Sequence, residues 1–197
     1  MSLDPRSPAA SPPRRVVVVG TTGAGKTTFA RAVAAAIGAP HTELDALNWE
    51  PGWTPAEPAA FRARADQAAA GPAWVIDGNY GQVRDVVWAR ADTLVWLDYP
   101  FPLVIRRLFV RSLRRGLRRE QLWNGNQERL SMQFLSRDSL FLWAVKTHWR
   151  RRREYPERLR EPALAHLAVH RFRHPRAAGR WLAALRAQSE SGSRSDP

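Results

Sequence analysis

The amino-acid sequence predicts an α/β fold, a three-layer sandwich in which helices cover both faces of a mainly parallel sheet of five strands. Three observations carry this expectation. Short apolar runs alternate along the chain with helical stretches. Three of those helical stretches stop at a glycine. A glycine-rich turn, residues 20–27, stands between the first apolar run and the first helix.

In chain order, residues 1–13 are rich in Pro, Ser and Ala and lack the apolar core of a secretory signal, so they read as a disordered tail. Residues 16–19 are four consecutive valines, the pattern of a central strand covered on both faces. An alanine-rich helix is expected over 26–37, stopping at Gly38, followed by a weak strand over 40–44. A helix over 56–70 ends at Gly71, and strands follow over 73–77 (AWVID) and 93–98 (TLVWLD). Helices are expected over 102–115, ending at Gly116, and over 138–155, then a weak strand over 166–172 and a helix over 175–188. Residues 188–197 are polar without periodicity and read as a second tail, leaving a single domain over about residues 14–187.

Composition narrows the chemistry. At 197 residues with 44% hydrophobic side chains, the chain suits one core and is short for two. Without cysteine, a disulfide framework, a thiolate metal site and a cysteine nucleophile are excluded. His166, His170 and His174 are spaced by four, but residues 167–169 between them read as strand and no carboxylate lies alongside, so no metal stripe is expected. No apolar stretch approaches the roughly 20 residues that span a bilayer, so no membrane partner and a cytoplasmic location are expected. Charge divides the chain unevenly: residues 1–100 hold 9 basic and 10 acidic side chains, residues 101–197 hold 22 and 8. A cationic half implies an anionic partner, either a polyphosphate-bearing small molecule or a nucleic acid.

Residues 20–27, GTTGAGKT, satisfy G-x-x-x-x-G-K-[ST] directly after the valine run and directly before a helix, the two contexts the motif requires. Glycines let backbone N–H groups turn inward around phosphate oxygens, and the helix N-terminus adds a favourable dipole. Gly20, Thr22, Gly23, Ala24, Gly25, Lys26, Thr27 and Thr28 are therefore candidate ATP contacts. Lys26 would reach the β- and γ-phosphates and the Thr27 hydroxyl would take a place on Mg²⁺. This makes the expected fold that of a P-loop NTPase. Two strands end in an acid, Asp77 and Asp98, and either stands where metal chemistry needs a carboxylate. A guanine-reading N-K-x-D is absent, which argues against a GTPase, and the chain is short for an oligomeric ATPase motor.

Further segments accompany the loop: LDALNW at 44–49 with PGW at 51–53, IDGNY at 76–80, LDYP at 97–100, the arginine series from Arg106, and WNGNQE at 123–128. In these the chain resembles adenylate-kinase-like (nucleoside-monophosphate-kinase-like) P-loop kinases, in particular the bacterial DNA topology modulation group, over about residues 15–185. The resemblance implies ATP- and Mg²⁺-dependent phosphoryl transfer. It favours Asp77 for the magnesium shell, because Asp77 belongs to an Asp-Gly pair. It matches Arg107 and Arg111 to arginines at a lid hinge that clamp ATP, with residues 116–128 as a helical lid. The two arginines that would grip a monophosphate acceptor are absent, their positions holding Asn48 and Gly81. Arg62, Arg64 or Arg84 could substitute; the simpler reading is a small-molecule acceptor other than AMP.

For that acceptor, Asp45 follows a predicted strand and so points to the same cleft, where related small-molecule kinases place an acid to orient or deprotonate a hydroxyl. Trp49 and Trp53 are candidate apolar walls, and Asn79, Asn126 and Glu128 candidate polar contacts. Spacing by three and four puts Arg107, Arg111 and either Arg114 or Arg115 on one helix face. Arg150 to Arg153, four in a row with no single face, read as solvated charge. Two other functions compete: a nucleotide-regulated nucleic-acid-binding protein, for which no helix-turn-helix, zinc finger or RNA-binding signature is found, and an ATPase without an acceptor. Nonspecific attraction to nucleic acid at low salt is expected from charge alone.

Overall fold

The computed structural model describes residues 12–118, 123–126 and 140–193. Strands β1 (Arg15–Gly20), β2 (His41–Glu43), β5 (Trp74–Asp77), β6 (Thr93–Leu97) and β7 (Ala168–Phe172) form one sheet in the order β2-β5-β1-β6-β7, every pairing parallel. Strands β3 (Trp49–Glu50) and β4 (Thr54–Pro55) make a separate antiparallel hairpin around the turn Pro51–Trp53.

The valine run occupies the central strand because each side chain can be buried on one face or the other. Val16 and Val18 join Ala30 and Val33 of α1 (Lys26–Ile37) and Leu185 of α7 (Pro175–Ser193). Val17 and Val19 join Phe61 of α3 (Pro58–Ala68), Trp88 of α4 (Arg84–Arg90) and Tyr155 of α6 (Leu140–Arg158). These are the two helical layers, and full burial of each aliphatic side chain contributes about 1.5–3 kcal/mol. The register sets Asp77 opposite Val18 and Leu97 opposite Gly20, so the phosphate loop, Asp77 and Asp98 all leave the sheet at one edge.

Several elements differ from the expected ones. β2 lasts three residues before the chain turns into α2 (Leu44–Asn48), which places Asp45 in a first helical turn. α5 (Phe101–Arg118) runs through Gly116, which keeps helical backbone there at a cost of about 1 kcal/mol relative to alanine. α7 continues to Ser193, through residues whose composition reads as tail. Of the expected lid, residues 116–118 and 123–126 are described. No helix among the described residues is long and apolar enough to cross a membrane.

Candidate active site

The phosphate loop is shaped by contacts that exclude side chains. A Cβ on Gly23, at φ 90°, would lie 2.7 Å from the Val104 carbonyl oxygen of α5, and one on Gly20 would lie 2.7 Å from the Leu97 carbonyl oxygen. Gly25, also at φ 90°, starts α1 in the left-handed conformation. Asn79 fixes the beginning of the loop from β5: its Oδ1 accepts from the Gly20 N–H at 3.1 Å and its Nδ2 donates to the Gly20 carbonyl at 2.6 Å. The Tyr155 hydroxyl donates to the same Oδ1 at 3.1 Å. Asn79, expected at the acceptor, is instead engaged by the loop. Thr28 is exposed in the first turn of α1, whereas Ala24 is buried under the loop.

The two strand-end acids have separate environments. Asp77 is buried; its Oδ2 accepts from the Thr27 hydroxyl at 3.0 Å and its Oδ1 lies 2.7 Å from His41 Nε2. Asp98 is also buried, but its oxygens face Arg152 Nε and Arg171 Nη2, each at 2.6 Å. The Arg171 guanidinium also lies over the Trp96 ring, 4.1 Å from its centroid. Two guanidiniums therefore occupy Asp98, while Asp77 and Thr27 present hard oxygen donors beside the phosphate loop. That pair fits Mg²⁺, which takes few protein oxygens and completes its shell with phosphate and water.

Around Lys26 the electrostatics are cationic. Burial is the largest effect, and with the nearby Arg151 and Arg111 charges it outweighs the support of Asp45 and Asp77, lowering the ammonium pKa to about 8. Arg107 Nη1 donates to the Ala24 carbonyl at 3.1 Å and its guanidinium lies over the Tyr99 ring, 5.3 Å from its centroid. The loop thus gathers Lys26, Arg107, Arg111 and Arg151.

Arg151 corrects the reading of Arg150 to Arg153 as solvated charge. Arg151 is 6% exposed, and its Nη1 donates to the Gly20 carbonyl at 3.4 Å. His148, Arg151, Arg152 and Tyr155 follow helical spacing on α6 and meet, respectively, Thr21 Oγ1 at 3.2 Å, Gly20, Asp98 and Asn79. The inward face of α6 is polar, while Trp143, Val145 and Trp149 face outward and are 43–51% exposed. A rule that turns charge outward hides such a residue; the signal present in the sequence is the helical spacing of Arg151 with His148 and Tyr155.

Where the sequence leads us to expect the acceptor, Asp45 Oδ1 accepts from the Tyr80 hydroxyl at 2.6 Å. Burial first, then the Asp45 charge, pushes the phenol pKa well above its usual value, so Tyr80 stays a donor. Trp49 and Asn48 oppose that rise in part. Trp49 meets Trp53 edge to face at 5.7 Å between centroids, and Trp53 meets Trp123 likewise at 6.3 Å. Asn126, expected to contact the acceptor, is buried and braces the hairpin: it accepts from the Trp53 N–H and donates to the Glu50 carbonyl, both at 2.9 Å. Asn124, not singled out from the sequence, donates to the Trp49 carbonyl at 2.5 Å. Glu128 lies outside the described residues. Arg62 pairs with Asp85, Arg64 with Glu50 at 2.7 Å, and Arg84 lies over Trp88 and Tyr155.

The ATPase family associated with various cellular activities (AAA) matches residues 16–77, from β1 to the acid that ends β5. No curated protein matches the chain. Among solved structures, the chain is similar to a shikimate kinase from Acinetobacter baumannii in complex with shikimate, with TM-score 0.54, 16% identity, and coverage of 93% of this chain and 96% of that one. A shikimate kinase from Bacteroides thetaiotaomicron gives TM-score 0.51, 18% identity, 90% and 99% coverage. A gluconokinase from Sinorhizobium meliloti 1021 gives TM-score 0.50, 19% identity, 95% and 100% coverage. The fold is that of a P-loop NTPase. At these identities the likeness is one of fold; Thr27 stands in the first turn of α1, Asp77 at the end of β5 and Asp45 in the first turn of α2, just beyond β2.

Proposed function

We propose that this protein is an ATP- and Mg²⁺-dependent kinase that phosphorylates a hydroxyl of a small molecule other than AMP. The observation that carries the reading is the company of Lys26: one ammonium close enough to feel both Asp77, hydrogen-bonded to the metal-side Thr27, and Asp45, on the acceptor side. The shikimate kinases and gluconokinase of the same fold act, by name, on small hydroxylated molecules, which agrees with this reading.

In this mechanism the phosphate loop and Lys26 hold the ATP phosphates, with Arg107, Arg111 and Arg151 as the surrounding positive charge. Thr27 and Asp77 would hold Mg²⁺, which when bound neutralises phosphate charge. Asp45, oriented by Tyr80, accepts a hydrogen bond from the acceptor hydroxyl. The acceptor oxygen forms a bond to the γ-phosphorus as the bond to the β–γ bridging oxygen breaks. The hydroxyl proton passes to Asp45 and then to solvent, leaving ADP and a phosphomonoester. Arg107, Arg111 and Arg151 act chiefly on the transferring phosphoryl group, so their loss lowers kcat more than ATP affinity.

The test is a metabolite-library screen for ATP-dependent mass gain of one phosphoryl group. A product requiring both Lys26 and Asp45 supports the proposal. ADP formation without any phosphorylated product would make the protein an ATPase.

A further inference from the structure

We propose that His41 is a positioning residue of the magnesium site: through Nε2 it holds Oδ1 of Asp77, so that Oδ2 stays turned to Thr27 and the metal. The inference rests on the kinase reading and adds to it a residue that belongs neither to the phosphate-loop motif nor to the acids at the strand ends.

The strand register brings the two side chains together. β2 lies beside β5 with His41 opposite Val75 and Glu43 opposite Asp77, so His41 enters the sheet two residues before the level of the acid. Residues two apart on a strand share a face, and here that face is the one covered by α1. On it Arg31 of α1 reaches Glu43 at 2.6 Å, the Thr27 hydroxyl reaches Asp77 Oδ2 at 3.0 Å, and His41 Nε2 reaches Asp77 Oδ1 at 2.7 Å. The carboxylate is thus held at both oxygens, from β2 on one side and from the start of α1 on the other. Its side chain is 3% exposed and that of His41 13%, so water is poorly placed to replace a lost partner.

The chemistry of the partners separates Asp77 from the other strand-end acid. Asp98 faces Arg152 and Arg171, each at 2.6 Å, and guanidiniums stay charged, so they cancel the charge of the acid they hold. An imidazole donates one N–H without having to carry charge, so His41 orients Asp77 and leaves its negative charge for a cation. An ionised carboxylate only accepts, so both contacts are donations to Asp77. The single proton of the Thr27 hydroxyl goes to Oδ2, which leaves the lone pairs of that hydroxyl for the metal. Hydrogen bonds that orient a metal-binding carboxylate in this way are worth about 10- to 100-fold in metal affinity or activity when removed.

The experiment is calorimetry on the full chain, measuring the Kd of a non-hydrolysable ATP analogue with saturating Mg²⁺ and again with the metal chelated. The wild-type chain is expected to bind more tightly with Mg²⁺. His41→Phe keeps a ring and removes the donor; it should weaken binding with Mg²⁺ by about tenfold and leave metal-free binding within about twofold. His41→Gln carries an amide nitrogen as many bonds from the backbone as Nε2, and should return binding with Mg²⁺ to within about threefold of wild type. His41→Leu serves the same comparison where the phenyl ring is not accommodated. A variant that merely loosens the fold weakens both measurements alike, so equal losses with and without Mg²⁺ would overturn the proposal. So would an unchanged Mg²⁺ effect in His41→Phe and His41→Leu, or a loss in His41→Gln as large as theirs. Each of these leaves the kinase reading intact, whereas a wild-type chain that binds equally with and without Mg²⁺ would overturn the assignment of Thr27 and Asp77 as well.

Discussion

Lys26 carries two opposite pH dependences. Below about pH 8 it is protonated in both folded and unfolded chains, and burial of its charge opposes folding. Between about 8 and the ordinary value of 10.5 the folded chain has released the proton while the unfolded chain retains it, so the Lys26 contribution to stability rises with pH across that window. Polyphosphate needs the charged form, so ATP binding draws a proton back. Calorimetry at pH 8.5 in buffers of different ionisation enthalpy is expected to show proton uptake on ATP binding, with affinity declining above pH 8; buffer-independent heats would contradict a lysine so perturbed. Lys26→Ala should lower ATP turnover more than tenfold. With Asp45 on the acceptor side, as proposed, Asp45→Asn should reduce transfer by roughly 10²-fold with the Kd for ATP nearly unchanged. Loss of ATP binding in that variant would move Asp45 to the metal side.

Helix α6 joins the phosphate loop to the sheet edge through His148, Arg151, Arg152 and Tyr155. Arg151→Gln should lower kcat by roughly 10²-fold with a smaller change in ATP affinity, while Arg150→Gln with Arg153→Gln should leave transfer within about twofold and weaken low-salt attraction to DNA. The reverse pattern, measured by steady-state kinetics and salt-dependent DNA binding, would return the whole run to surface charge. Asp98→Asn leaves Arg152 and Arg171 without their shared carboxylate and should cost about 2–3 kcal/mol in urea unfolding, with ATP affinity preserved; a large loss of Mg²⁺-dependent ATP binding at full stability would restore Asp98 as a metal ligand. These elements differ in how clearly the sequence announces them. β1, β5 and β6 are continuous buried runs, and α1 has a motif before it and a glycine after it, so all four are legible. β2 is three half-buried residues, β3 and β4 are two each, and α4 is seven, too short for periodicity to emerge. α6 is legible as a helix, but its orientation is not, because its cations face inward and its tryptophans outward.

At the scale of the whole molecule, the sheet order brings the phosphate loop, Asp77 and Asp45 to one edge, the proposed nucleotide and acceptor sides. The first was readable as a motif because phosphate chemistry fixes residue types at fixed spacing in residues 20–27. The second was readable only in part: Asp45, Trp49 and Trp53 stood out, whereas Tyr80 and Trp123 reach it through contacts 35 and 80 residues apart in sequence. Part of the excess positive charge of the second half is committed within the fold, where Asp98 takes Arg152 and Arg171 and the phosphate loop gathers Arg107, Arg111 and Arg151. Attraction to DNA should therefore be weak near physiological salt and insensitive to ATP. The account depends most on the identity of the group that receives the phosphoryl. Its most direct test is ³¹P NMR of MgATP incubated with the protein and either AMP or a library of hydroxylated small molecules: the account predicts ADP with a new phosphomonoester resonance from a member of the library and almost none of the second ADP from AMP, and efficient conversion of ATP and AMP into two ADP would contradict it.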